Sequence, residues 1–188
     1  KISVLEIGVD TGISLFALNH NLSLLGVSFE YIGVDIKIQN HIQLIDSMFF
    51  KANEETSISL VEDNSLKFLP KVNKKFDIIL LDGDHNYETV SQELEFVKNL
   101  MHDNTLVICD DYSGRWSNKD LYYINRPGYS DIELATPQNL DLDKAGVKPA
   151  IDEFVDKNNE LVMFKIMQGE PILIMQKYNK YINYLRYV

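Results

Sequence analysis

Five short runs, apolar on both faces, alternate with helix-patterned stretches, and nothing else in the chain narrows the fold as far. The runs are 2–8 (ISVLEIG), 30–35 (EYIGVD), 57–62 (SISLVE), 76–82 (FDIILLD) and 105–110 (TLVICD). Helical periodicity fills 12–25, 38–51, 64–70 and 87–100 between them. Such strands, separated by helices, specify a parallel sheet covered on both sides, the doubly wound α/β plan. A helix near 147–158 then leads to "LVMFKIM" and "PILIMQK". Only Gln168 to Glu170 separate these two runs, too few for a crossover helix, so they are expected to pair as an antiparallel hairpin. The expectation is a single domain over residues 1–188 with a mostly parallel, seven-stranded sheet ending in that hairpin.

Charge narrows the partners. Twenty-eight acids against eighteen Lys and Arg give a net charge of −10, which disfavours nucleic acid, whose phosphates are neutralised by Lys and Arg. No apolar run is long enough to span a bilayer, and no secretory pattern opens the chain. The one cysteine, Cys109, sits in the apolar run "LVICDD" and reads as a small buried hydrophobe. A reducing, cytoplasmic setting is expected. Lys1 is followed directly by a strand, so a preceding segment is also expected. Tyr178, Tyr181, Tyr184 and Tyr187 are spaced three apart near the end. They are expected to pack on their own domain, with a homo-oligomer contact as the alternative.

Residues 112–146 have weak periodicity and follow directly on Asp110 and Asp111. A connection this long in a compact domain is more often functional than idle. It reads as a substrate-binding insertion, with Arg115, Trp116, Tyr122, Tyr123 and Arg126 contacting an acceptor and leaving cofactor affinity unchanged.

The first run ends "LEIGVDTGIS", a turn with Gly8 and Gly12 before a helix. A dinucleotide fingerprint wants glycine at positions 8, 10 and 13. This chain has Asp10 and Ile13, and an aspartate at the middle position would repel a pyrophosphate. A ligand without phosphates is tolerated. S-adenosylmethionine, with its sulfonium, amino acid tail and ribose, suits acidic surroundings. Asp35, ending the second run, is placed to accept both ribose hydroxyls, and Asp63 is placed to meet adenine. Glu6, inside an apolar strand, would be costly without a partner, and the methionine end of the cofactor would supply one. Each residue also has a plainer role: Asp10 or Thr11, Asp35 and Asn86 could cap helices.

"IILLDGDHNYETV" joins a buried strand to two acids and a histidine. Asp82 and Asp110 are 28 residues apart, the length of one right-handed crossover between neighbouring strands. They would then end adjacent strands about 4.8 Å apart, with Asp111 beside them. Three converging carboxylates repel unless a cation or a proton intervenes, and hard oxygens suit Mg²⁺. Iron would call for two histidines. His20, His41 and His102 fall elsewhere and read as surface residues.

"VLEIGVDTG", "GVDI", "VEDNS", "LDGDHNYETV", "VICDDY" and "GVKPAIDEF" together resemble class I S-adenosylmethionine-dependent methyltransferases, closest to the macrocin and aminocoumarin-sugar O-methyltransferase family. The likeness spans residues 2–111 and 147–177 and implies a Rossmann-like fold. It implies a cofactor site that includes Glu6, Gly8, Gly12, Asp35, Asp63, Ser65 and Asp82. It also implies a divalent metal on Asp82, Asp110 and Asp111, a base at Asp84, and a sugar, glycan or polyol-like acceptor. Two departures stand out: Asp10 replaces a glycine common in class I motifs, and the N-terminal segment that covers the cofactor in relatives is not in this sequence. A catechol acceptor is the alternative, although catechol enzymes of this plan usually carry Asp-Asn where this chain has Asp110-Asp111. An inactive cofactor-binding module is the alternative outside the enzymes. Alternation past Gly83 would keep Asp84 on the side of Asp82 and turn His85 away as a support.

Overall fold

In the computed structural model, residues 1–40, 55–135, 143–166 and 171–182 are described. The expected helix over 38–51 lies almost wholly outside them. The elements are β1 (Ile2–Ile7), α1 (Ile13–Leu24), β2 (Phe29–Asp35), β3 (Ser57–Glu62), α2 (Ser65–Phe68) and β4 (Phe76–Leu81). They are followed by α3 (Tyr87–Leu100), β5 (Met101–Cys109), α4 (Val147–Lys157), β6 (Leu161–Lys165) and β7 (Ile172–Gln176). The seven strands form one sheet in the order β3-β2-β1-β4-β5-β7-β6. The first five run parallel, and β7 pairs antiparallel with both β5 and β6. This is the Rossmann-like sheet with the expected C-terminal hairpin.

The larger core packs α3 and α4 on one face through Leu94, Val97, Ile151 and Phe154 against Leu5, Ile79 and Val107. A smaller one sets Leu15 of α1 against Val4, Phe29 and Tyr31. Cys109 is buried at 1% exposure, as its apolar setting led us to expect. Asn86 caps α3 by accepting from the Thr89 N–H at 2.8 Å. The cap of α1 is neither Asp10 nor Thr11 but Gly12, at φ 76 and without a side-chain cap bond.

Two expectations are corrected. β5 starts at Met101, not 105, because Thr105 turns inward to donate to the Phe76 carbonyl at 2.6 Å. Its hydroxyl also accepts from the His102 N–H, which ties the polar His102–Asn104 excursion to the strand. Tyr178 is 93% exposed, so it does not pack on its own domain, and Tyr184 and Tyr187 lie outside the described residues. Asn179 anchors this end instead, buried and donating to the Thr105 carbonyl at 3.3 Å. Among the described residues no helix is long and apolar enough to cross a membrane.

Candidate active site

Strand order reverses between β1 and β4, so a crevice opens at the carboxyl ends of the strands there. Sheet pairing continues one residue beyond each strand. Asp63 N–H bonds to Asp35 O, Gly8 N–H to Val34 O, Asp82 N–H to Ile7 O and Asp110 N–H to Leu81 O, at 2.8 to 3.0 Å. The ladder thus sets Asp63, Asp35, Gly8, Asp82 and Asp110 in a row along one edge. Gly8 is obligatory in that row: at φ 91, an added Cβ would lie 2.2 Å from the Asp82 carbonyl oxygen. A cavity of about 560 Å³ opens over the row.

Asp35 holds the glycine turn. Its Oδ2 accepts from Val9 and Asp10 N–H at 2.8 and 2.9 Å, and its Oδ1 accepts from Lys37 N–H at 2.9 Å. A carboxylate offers about four acceptor sites, so one remains for a ligand and not the two that a pair of ribose hydroxyls would need. These bonds also offset strain at Asp10, whose φ of 40 makes position 10 a glycine position in conformation though not in sequence. Asp63 accepts from Asn64 N–H at 2.8 Å and lines the cleft with Ser65. Gly12 serves the turn as the cap of α1.

Glu6 is 2% exposed, and burial, partly offset by hydrogen bonds from Tyr31 and Ser14, pushes its carboxyl up to about 7. Tyr31 Oη donates to it, so the partner that this buried acid requires comes from the protein and need not be a ligand. The sequence held a signal for this. Gly33 follows Tyr31 by two on the same strand face, and a Cβ there would sit 2.7 Å from the Tyr31 ring.

At the ends of β4 and β5, Asp82 and Asp110 meet, with Asp111 beside His85. Asp82 and Asp110 share a side-chain hydrogen bond, and desolvation first, then Asp110, hold the Asp82 carboxyl well above the usual carboxylate range. Asp111 sits at φ 54, with its Oδ2 3.7 Å from Nδ1 of His85. Among the described residues no three such groups are arranged to hold a metal ion. His85 is not part of the cleft lining, yet it stays close to the acids. Its Nε2 is 4.0 Å from Asp82 Oδ1, and its ring lies parallel to Trp116 at 6.5 Å. Desolvation pushes its imidazole down to about 4, so it is neutral at pH 7. Alternation is no guide to that closeness, because the strand stops at Leu81.

Asp84 lines the cleft, while its carboxylate accepts from His85 N–H at 2.9 Å and the Asn86 amide at 2.5 Å. Burial pushes it up to about 6. Sequence reading missed Glu93, which is 1% exposed at the cleft wall. Its Oε1 has no hydrogen-bond partner among the described residues, and burial pushes it up to about 8. Its signal was helical phase: Glu93 is three residues beyond Val90 and one before Leu94, on the apolar stripe of α3.

Of the insertion residues singled out in the sequence, Tyr123 and Arg126 line the cleft. Trp116 stacks behind His85 with Arg115 4.7 Å above it, and Tyr122 donates to Asp120 at 2.6 Å.

Several solved structures share this fold. A candidate caffeoyl-CoA O-methyltransferase from Staphylococcus aureus superposes with a TM-score of 0.54 at 20% identity, over 92% of this chain and 74% of its own. The Podospora anserina methyltransferase PaMTH1, solved with SAH, gives 0.54 at 16% identity, over 93% and 71%. MycE from the mycinamycin biosynthetic pathway, solved with Mg and SAH, gives 0.58 at 17% identity over 93% of this chain, which spans 45% of MycE. No curated protein sequence matches the chain. Residues 5–112, more than half of the chain, match the family described as a methyltransferase domain, and they carry the whole row from Gly8 to Asp110. The chain belongs to that methyltransferase family.

Proposed function

We propose that this protein is a Mg²⁺-dependent O-methyltransferase that uses S-adenosylmethionine to methylate a hydroxyl of a sugar, glycan or polyol-like acceptor. One observation carries the reading: among the described residues, Asp10, Asp35, Asp63, Asp82, Asp84 and Glu93 line the cleft, and Arg126 is the one cation in that lining. Even with Glu93 and Asp82 holding protons, the other acids of this wall repel a pyrophosphate and attract a sulfonium and an ammonium. Asp35 has capacity for a ribose hydroxyl, and Asp63 and Ser65 lie at the β3 end, on the adenine side. S-adenosylmethionine supplies a methyl group on a sulfonium leaving group.

Asp82 and Asp110, hard oxygen donors close enough to share a hydrogen bond, suit a divalent cation in their chemistry. Desolvation first, and then the closeness of Asp110, hold the Asp82 carboxyl above the usual range, and a bound cation would relieve that crowding. Asp82 and Asp110 would hold Mg²⁺, with Asp111 as the third acid. A bound Mg²⁺ would favour loss of the acceptor hydroxyl proton. MycE, solved with Mg and SAH on this fold, supports both groups.

Asp84 takes the acceptor proton in this reading. It faces the cleft, remains mostly ionised at pH 7, and is a stronger base than an ordinary carboxylate. The His85 N–H and the Asn86 amide fix its orientation. His85, neutral and 3.7 Å from Asp111, positions that acid. The test is calorimetric titration with S-adenosylhomocysteine, followed by turnover on a panel of glycosides with and without EDTA. One S-adenosylhomocysteine site and EDTA-sensitive turnover are expected. Preference for NAD would sink the reading, and turnover indifferent to EDTA would remove the metal from it.

A further inference from the structure

The insertion was expected to serve the acceptor alone, but its course follows the carboxyl edge of the sheet. Leu121 N–H donates to the His85 carbonyl just past β4, and the Tyr123 ring lies 6.3 Å from that of His85. Further on, Lys37, just past β2, donates to the Gly128 carbonyl at 3.0 Å and sits 5.4 Å over the Tyr129 ring. Then Asn64, just past β3, donates its amide to the Leu134 carbonyl at 3.0 Å. Residues 121–135 therefore cross the carboxyl edge from β4 over β1 to β2 and β3, parallel to the row Asp82, Gly8, Asp35, Asp63. Tyr123, Arg126, Tyr129 and Leu134 face that row across one cavity.

A ligand extended along the row meets both walls. We propose that residues 121–135 form the second wall of the cofactor site, with Arg126 binding the carboxylate of the methionine tail and Tyr129 covering the ribose. Arg126 lies in sequence between the anchor at β4 and the anchor at β2 and lines the same cavity as Gly8. Among the described residues it is the only cation lining the cleft. A methionine tail carries one anionic group, and among six acids that group has one place to go. Guanidinium meets carboxylate in two-point geometry. Tyr129 lines the same cavity as Asp10 and Asp35, with the Lys37 ammonium 5.4 Å from its ring.

The inference rests on the cleft being an S-adenosylmethionine site and is tested by comparing S-adenosylhomocysteine with 5′-methylthioadenosine, which lacks the amino acid tail. Arg126→Gln should weaken S-adenosylhomocysteine about 10- to 100-fold, the loss expected for a charged hydrogen bond, and leave 5′-methylthioadenosine unchanged. Arg126→Lys should restore part of the loss, and Tyr129→Ala should weaken both ligands. An unchanged ratio of the two affinities in Arg126→Gln, or unchanged binding of both in Tyr129→Ala, overturns the second wall while leaving the cleft reading intact. Wild-type protein that binds neither ligand overturns both.

Discussion

The two walls of the cleft are built by different means. The strand-edge wall inherits its positions from the sheet: Asp35, Asp63, Asp82 and Asp110 lie within one residue of a strand end, and backbone bonds of 2.8 to 3.0 Å fix the row. The insertion wall is short turns, held to the edge by a few contacts such as Lys37 to Gly128 and Asn64 to Leu134. Asn125 through Gly128 are exposed. The first wall is over-determined and can hold strained residues and buried charge. The second has little packing to lose, and elements with few buried contacts open at low free-energy cost. Reactivity should therefore reside on the strand edge, and adjustable affinity on the insertion.

The largest expected asymmetry is catalytic. Asp84→Asn on the strand-edge wall should lower kcat by roughly 10²–10⁴, with S-adenosylhomocysteine affinity preserved. His85→Gln should cost less, because the neutral ring positions Asp111 and does not face the cleft. Tyr123→Phe, directly across on the insertion, should leave kcat nearly unchanged. Steady-state kinetics on an accepted glycoside decides the matter. A larger loss in His85→Gln than in Asp84→Asn would move the proton transfer to the histidine.

Next in size is a steric contrast that needs no substrate. Gly8→Ala sets a Cβ 2.2 Å from the Asp82 carbonyl oxygen, backbone against backbone, at φ 91. Neither strand can yield without breaking the ladder. A loss of about 3–5 kcal/mol is expected in chemical denaturation, together with loss of S-adenosylhomocysteine binding. Retained stability would mean that the row is not fixed by the sheet.

These contrasts track what the sequence could convey. The parallel sheet, the hairpin, the Asn86 cap and the adjacency of Asp82 and Asp110 follow from periodicity and crossover length, both local properties. The closeness of His85 to Asp82 and Asp111 was not legible, because alternation holds only inside a strand and β4 ends at Leu81. The partner of Glu6 depends on β1–β2 register, which pairs Glu6 with Gly33 and leaves room for the Tyr31 ring. The course of the insertion depends on side-chain to carbonyl bonds between residues as far apart as Lys37 and Gly128. No periodicity encodes such bonds.

A third prediction uses pH to gauge how much buried charge the strand-edge wall carries. Burial raises the Glu93 carboxyl from 4.5 to about 8, with Ser65 as its hydrogen-bond donor and Asp84 adding repulsion. Between those values the folded protein holds a proton that the unfolded chain has released. Stability therefore falls as pH rises through this window. Glu93→Gln removes that slope, so it should raise the melting temperature at pH 8 more than at pH 5, by about 1–3 kcal/mol in stability. Equal shifts at both pH values would show that Glu93 is paired and ionised in solution.

The smallest effect is the counterpart of Gly8 on the other wall. Gly128 has φ 84, so alanine there meets the same backbone penalty, yet the added Cβ would find only the Lys37 ammonium, 3.7 Å away. That contact is ordinary, and a flexible lysine can move. What remains is the left-handed strain of about 1–2 kcal/mol, which the loosely held insertion can relieve by opening. Global stability of Gly128→Ala should therefore stay near wild type in denaturant melts. Affinity for S-adenosylhomocysteine should fall modestly, because the Lys37 anchor is disturbed while the Asp35 side of the cleft is untouched. If Gly128→Ala destabilised the fold as much as Gly8→Ala, the insertion would be as tightly built as the sheet edge, and the division between a fixed wall and an adjustable one would be lost.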